Sequence, residues 1–159
     1  MPMLDVELYL SSPRYRKPAH KLPEVVSSAA KLLGRRCTLV HLSVAVVGNK
    51  RMSNLHKLHM GIDGPTDVLT FPLDADPRGR LRSGEVVICV PYAERTAKAH
   101  NVPLWKELTL YAVHGLLHLS GYDDLSPTEH RRMHKKEDQL LTSLGLGPVF
   151  HPQSRPGRS

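Results

Sequence analysis

Two histidines one helical turn apart, His114 and His118, stand in the run Tyr111-Ala112-Val113-His114-Gly115-Leu116-Leu117-His118-Leu119-Ser120. The chain then breaks at Gly121 and continues through Tyr122 to the paired carboxylates Asp123 and Asp124. Residues i and i+4 share one face of a helix, so both rings can reach a single point. Gly121 can take the left-handed conformation that ends a helix, and a third donor can swing back from the loop beyond it. Nitrogen and carboxylate donors in a three-ligand set suit Zn²⁺, with a fourth position left for water, as in a catalytic site. Val113, Leu116, Leu117 and Leu119 predict that this helix is packed, where imidazoles need partners for their ring nitrogens. On these residues alone, a hydrogen-bonded core pair and a metal-ligating pair both remain open. A second i, i+4 pair, His130 and His134, is an internal control: flanked by Arg131, Arg132, Lys135 and Lys136, it is an unfavourable cation site and reads as a solvated helical face.

The elements that must position these groups follow from periodicity. Residues 4–10 alternate as a first strand, and residues 22–33 read as a helix stopped by Gly34. Residues 38–47 are the richest β-branched run, and residues 49–60 read as a helix opened by Asn49 as its N-cap. Residues 67–71 and 85–90 predict two more short strands, and residues 91–100 and 104–120 two helices, with Pro103 at the start of the one carrying His114 and His118. The last helix has the clearest start signal, the capping box Ser126-Pro127-Thr128-Glu129, and Gly145 marks its end. Strands and helices are mixed rather than strictly alternating. The expected fold class is therefore α+β: a mixed sheet of about four strands covered by helices, with the metal site on a late helix.

At 159 residues with 40% hydrophobic content, the chain is expected to form one domain over residues 1–150, followed by a disordered basic tail at 151–159 that contains Arg155 and Arg158. Cys37 and Cys89 belong to no CxxC pattern and read as buried reduced thiols. The first residues carry acids where a signal peptide needs bases, and no apolar run reaches membrane-span length, so a cytoplasmic location without membrane contact is expected. A net charge of +7 favours a polyanionic partner. Its clusters are Arg14-Tyr15-Arg16-Lys17 and Arg131-Arg132 with Lys135-Lys136. Aromatic residues make up only 5% of the chain, which predicts contacts to a charged backbone rather than a base-stacking platform.

The run HGLLHLSGYDD from His114 to Asp124 resembles the HGxLHLxGYDH signature of the YbeY family of endoribonucleases. Gly64-Pro65-Thr66-Asp67-Val68-Leu69-Thr70-Phe71-Pro72 is similar to that family's PTDVLSFP block, Gly84-Glu85-Val86-Val87-Ile88 resembles its GDIVI strand, and Met133 with Glu137 fits its M…E spacing. The resemblance implies a single-strand-directed, metal-dependent endoribonuclease in late-stage 16S rRNA 3′-end maturation and ribosome quality control. It implies one Zn²⁺ per chain on His114, His118 and Asp124, and as partners an rRNA precursor and the ribosome or its small subunit. Oligomeric state is not readable.

This chain departs from the family pattern twice. The family's third ligand is a histidine where this chain has Asp124, an oxygen donor still compatible with Zn²⁺ but one that adds negative charge to the site. An arginine common about six residues before the Thr of the PTDVL block is replaced by Met60, leaving His56, Lys57 and His59 as nearby substitutes. Lys57, Arg131, Arg132 and Lys135 are the expected RNA contacts. Thr66 and Asp67 either line the cleft or form a turn before a strand; Asp123 is a partner to a ligating imidazole or a turn residue. No general base is identifiable. Two other readings stay open: a ribosome-associated factor with a mainly structural metal, and a zinc peptidase. The second is disfavoured because Gly115 occupies the place of the HExxH glutamate.

Overall fold

Four strands, β1 (Asp5–Leu10), β2 (His41–Val47), β3 (Val68–Pro72) and β4 (Ser83–Cys89), form one sheet in the order β1-β2-β4-β3. In this computed structural model the described residues run from 3 to 147, so the tail expected at 151–159 lies outside them. β1, β2 and β4 are parallel, and β3 closes the edge antiparallel to β4. The register sets Leu8, Val44, Val86 and Thr70 side by side across the sheet.

Because side chains alternate across a strand, the sheet buries two faces. Leu42, Val44, Val46, Val68, Val86 and Ile88 join α2 (Leu22–Leu33) and α5 (Leu104–Leu119) in the main core. Ala45, Val47, Leu69, Val87 and Cys89 turn the other way and meet Met52 of α3 (Asn49–Met60). Helix α5 is buried continuously from Glu107 to Leu117, as expected of a helix apolar on all sides. It packs on β3 and β4, and is flanked by α1 (Arg16–Ala19), α2, α4 (Val90–Ala99) and α6 (Pro127–Ser143).

Glycine sets how close α5 comes to the sheet. A Cβ on Gly115 would lie 2.7 Å from both γ-methyls of Val86 and 3.3 Å from Cγ2 of Thr70. One turn later Leu119 covers Gly84, the second residue of β4, where a Cβ would meet Leu119 Cδ1 at 2.9 Å. Helix and sheet therefore meet across glycine backbone at two points, the helix's own at Gly115 and the strand's at Gly84, and the carboxyl end of α5 lies where β4 begins.

Several expectations need adjustment. The N-cap of α3 is Gly48, and Asn49 is its first helical residue, with Oδ1 accepting the Cys89 thiol at 3.4 Å. β2 starts at His41 rather than at residue 38, because Thr38 is engaged sideways: its hydroxyl donates to Leu81 O and its carbonyl accepts from Arg82. The short helix α1 and the 3-10 turn Pro13–Tyr15 carry no sequence signal strong enough to announce them, yet bury Tyr15 and Ala19. Both cysteines are free and buried, and burial pushes the Cys89 thiol up, which keeps it protonated.

Candidate metal centre

The turn after α5 converts a helical spacing into a three-donor site. Tyr122 N–H donates to Leu117 O at 3.0 Å and Gly121 N–H to His118 O at 3.1 Å, with Gly121 at φ 96°. This is a Schellman motif, with glycine at the position that must turn left-handed. It reverses the chain so that Asp123 and Asp124 return beside the rings. The Asp124 N–H then donates to Asp123 Oδ1 at 2.8 Å, which holds the Asp124 backbone in place. Asp123 is therefore a turn residue, and its side chain also lines the adjoining cleft.

His114 is fully buried, and its Nδ1 lies 2.9 Å from Oε1 of the equally buried Glu137 on α6. A carboxylate oxygen accepts, so this contact places the His114 proton on Nδ1 and leaves the Nε2 lone pair facing inward. There it meets His118 Nε2 at 3.0 Å, the two rings being nearly perpendicular at 85°. Asp124 Oδ2 lies 3.9 Å from His118 Nε2. One donor atom from each of His114, His118 and Asp124 falls within 4.8 Å of the others.

These separations suit a shared cation. Bonds of about 2.0–2.2 Å in tetrahedral geometry put ligand atoms roughly 3.3 Å apart, a value between the two observed distances. The carboxyl end of α5, whose last turn carries His118, adds a partial negative charge that favours a cation there. The group can therefore hold a metal ion, by its donors, its oriented tautomer and its local field.

His134 overturns the expected solvated face. It is 7% exposed, its Nδ1 lies 3.1 Å from Glu137 Oε1, and its ring stands 6.3 Å from His114 and 4.1 Å from His130. Only His130 of the pair is exposed. Helix α6 turns Met133, His134, Glu137, Leu140 and Leu141 inward, while Arg131, Arg132 and Lys135 occupy its solvent side. The basic neighbours in sequence thus lie on a different face from the ring they were expected to solvate. Beside this cluster, burial and the Glu137 charge push the Asp138 carboxyl up, partly offset by His134. The capping box at the start of α6 is present: Ser126 Oγ accepts from Glu129 N–H at 3.1 Å and donates to Glu129 Oε1 at 3.0 Å.

Next to the donor group lies an open cleft of about 320 Å³, with Thr70, Leu81, His118, Tyr122 and Asp123 on its walls. Lys57, Arg131, Arg132 and Lys135 are not among the residues that line it. Lys57 stands on α3, across the sheet from α5, and pairs with Asp63 at 3.0 Å. His56 is buried with Nδ1 2.9 Å from Gly64 O, so it is unavailable to replace a cation at Met60. Asp67 is buried and its Oδ1 accepts from Val68 N–H and Thr66 Oγ1, which makes Thr66-Asp67 a turn before β3 and leaves Thr70 and Pro72 as the strand's residues in the cleft. A glutamate at position 115 would point into Val86 rather than toward the rings, which removes the zinc-peptidase arrangement on steric grounds.

Two contributors escaped the sequence reading. Glu137 carried only a spacing signal, and its role depends on α6 crossing α5. Arg36 lies far away in sequence, yet its Nε donates to Ser120 O at 3.3 Å and its guanidinium stands 4.4 Å over the Tyr122 ring.

Comparison with known proteins agrees with this geometry. A family model described as Endoribonuclease YbeY matches residues 8–145. A protein named Endoribonuclease YbeY from Anaeromyxobacter sp. (strain Fw109-5) is 35% identical over 156 residues, covering 98% of this chain and 80% of that protein. One of the same name from Shouchella clausii is 34% identical, covering 91% of this chain and 98% of the relative. The solution structure of TM1509 from Thermotoga maritima aligns with a TM-score of 0.60 at 28% identity, covering 97% of this chain and 99% of that one.

Proposed function

Because the chain belongs to the YbeY endoribonuclease family, we propose that it is a metal-dependent endoribonuclease acting on single-stranded RNA in the cytoplasm, with His114, His118 and Asp124 holding one Zn²⁺. The observation that carries this reading is the convergence of those three side chains beside an open cleft, with Glu137 fixing the tautomer of His114. The biological step is late maturation of the 16S rRNA 3′ end, together with ribosome quality control, and the partners are the rRNA precursor and the small ribosomal subunit. Among the described residues no helix is long and apolar enough to cross a membrane.

The chain's own residues divide the work. His114 presents its Nε2 lone pair to a point that His118 Nε2 also faces, and Asp124 supplies the anionic donor from the loop. Glu137 holds His114 rigid from a fully buried position. When bound, a divalent ion lowers the pKa of water and offsets charge on the phosphoryl oxygens. Thr70, Tyr122 and Asp123 border the space where a phosphodiester can lie. Asp123 Oδ1 accepts from Asp124 N–H and so holds the turn that presents Asp124. Arg131, Arg132 and Lys135 on the solvent side of α6 are proposed outlying phosphate contacts, and Lys57 joins them only by exchanging its Asp63 partner.

One structural feature supports a second role for the ion. The donors tie the end of α5 to the loop that leads into α6, so a bound metal also staples those helices. Chelation followed by separate measurements of folding and of cleavage of a precursor carrying the 16S 3′ end divides the two. Loss of cleavage with the fold retained supports the enzyme, whereas collapse of the fold on chelation supports a mainly structural ion.

A further inference from the structure

A second groove, of about 860 Å³, opens beside the cleft, between α2 and the segment that precedes β4. Its floor is apolar, with Leu4, Ala30 and Leu39, and its rim carries Lys31, Arg35, Arg80 and Arg82. No acidic residue lines it among the described residues. We propose that this groove binds the sugar-phosphate backbone of a single-stranded RNA whose neighbouring nucleotides occupy the cleft, so that it acts as the extended substrate track of the site. The proposal rests on the RNA-cleaving reading above.

The two cavities share a wall. In Arg80-Leu81-Arg82 the outer two residues line the groove and Leu81 lines the cleft. That wall is braced from the groove side, since Thr38 donates to Leu81 O at 2.6 Å and Arg82 Nη1 donates to Thr38 O at 2.8 Å. Arg36 stands between the cavities, following groove residue Arg35 in sequence and covering cleft residue Tyr122. A polyanion leaving the cleft past Tyr122 therefore meets cations in succession.

The cations are not equivalent. Arg80 is paired with Asp76 at 2.7 Å and contributes least. Lys31 and Arg35 are exposed and figure in none of the ion pairs found among the described residues. An apolar floor without an aromatic ring offers bases no stacking surface, so affinity comes from phosphates and is insensitive to sequence. An acidic protein segment shares the charge but has no reason to continue into the cleft, which is why RNA is the assigned occupant.

The test uses the full chain and its Lys31→Ala/Arg35→Ala double variant, with thermal melts to confirm the fold. The probes are 2′-O-methyl RNAs of about twelve and about three nucleotides, checked to be intact after each titration, and an acidic peptide of matched charge, each titrated across a salt series. Loss of two phosphate contacts at about 0.7 each should reduce the salt slope for the long RNA by about 1.4, or about 25-fold in affinity near 0.1 M salt. The three-nucleotide probe, too short to span the cleft and the groove together, should lose less. With cleavable RNAs, the double variant should raise KM for the long substrate and leave kcat unchanged. Equal affinity and slope in the two proteins overturns the proposal, as does an equal loss for both RNA lengths, or an acidic peptide that displaces the long RNA at lower concentration than unlabelled RNA does. If the wild type cleaves RNA but the variant binds like it, the groove assignment falls and the catalytic reading stands. If the long RNA shows the predicted loss and no RNA is cleaved, the groove stands and the catalytic reading falls.

Discussion

Replacing Glu137 tests whether the metal centre depends on a residue that touches no substrate. Glu137 is 0% exposed and its Oε1 lies 2.9 Å from His114 Nδ1 and 3.1 Å from His134 Nδ1. In Glu137→Gln the amide oxygen can still accept from His114, so shape is kept while the negative charge that makes the imidazole a better donor is lost. Loss of such an orienting carboxylate weakens metal binding about 10- to 100-fold, or about 1.4–2.7 kcal/mol. Glu137→Ala also removes the acceptor itself and leaves the buried His114 N–H unsatisfied, for about 1–3 kcal/mol of folding stability. In a domain of this size that is a fall in Tm of roughly 5 °C. Competitive metal titration against a chromophoric chelator gives the affinity, and melts of metal-free protein separate folding from ligation. The reasoning fails if the Gln variant binds metal as tightly as wild type, or if metal-free Ala and wild-type proteins melt together.

Asp124→Ala should empty the site while Asp123→Ala should largely retain the metal, since Asp123 serves the turn; elemental analysis of the purified variants decides, and the opposite pattern assigns the ligand to the other aspartate. Asp124→His removes a negative charge from the donor set and should shift the pH profile of cleavage to lower pH. Gly115→Ala should destabilise the fold by up to about 2 kcal/mol in urea unfolding: the clash of its Cβ with both Val86 γ-methyls costs about 1–3 kcal/mol against a helix-propensity gain of about 1 kcal/mol, and Val86→Ala in the same chain should recover part of the loss. Burial and the Glu137 charge raise the Asp138 carboxyl in the folded state, so the folded protein keeps a proton that the unfolded chain has released. Stability then falls as pH rises from the ordinary aspartate value to the raised one; Asp138→Asn should therefore raise Tm above that window and leave it unchanged below, as read from melts across pH.

What could be read from the sequence was mostly local. The 3.6-residue period located α2, α3 and α5 within a residue or so, the Gly121 break predicted the turn that returns Asp124, and Ser126 with Glu129 marked the start of α6, because each signal acts within one or two helical turns. The i, i+4 spacing put His114 and His118 together, but the spacing at His130 and His134 is the same; only packing on α5 decided that His134 is buried against Glu137. Strand order was equally silent, since the antiparallel placement of β3 beyond β4 depends on contacts between distant segments. Gly115 was legible as a missing glutamate, whereas its physical role, backbone contact with Val86, needed the sheet beneath it. The cationic groove assembles Leu4, Lys31, Arg35 and Leu39 with Arg80 and Arg82, and no one-dimensional pattern joins them. Spacing along the chain determined which groups can share a point; packing of distant segments, where register and burial are settled together, determined which of them do.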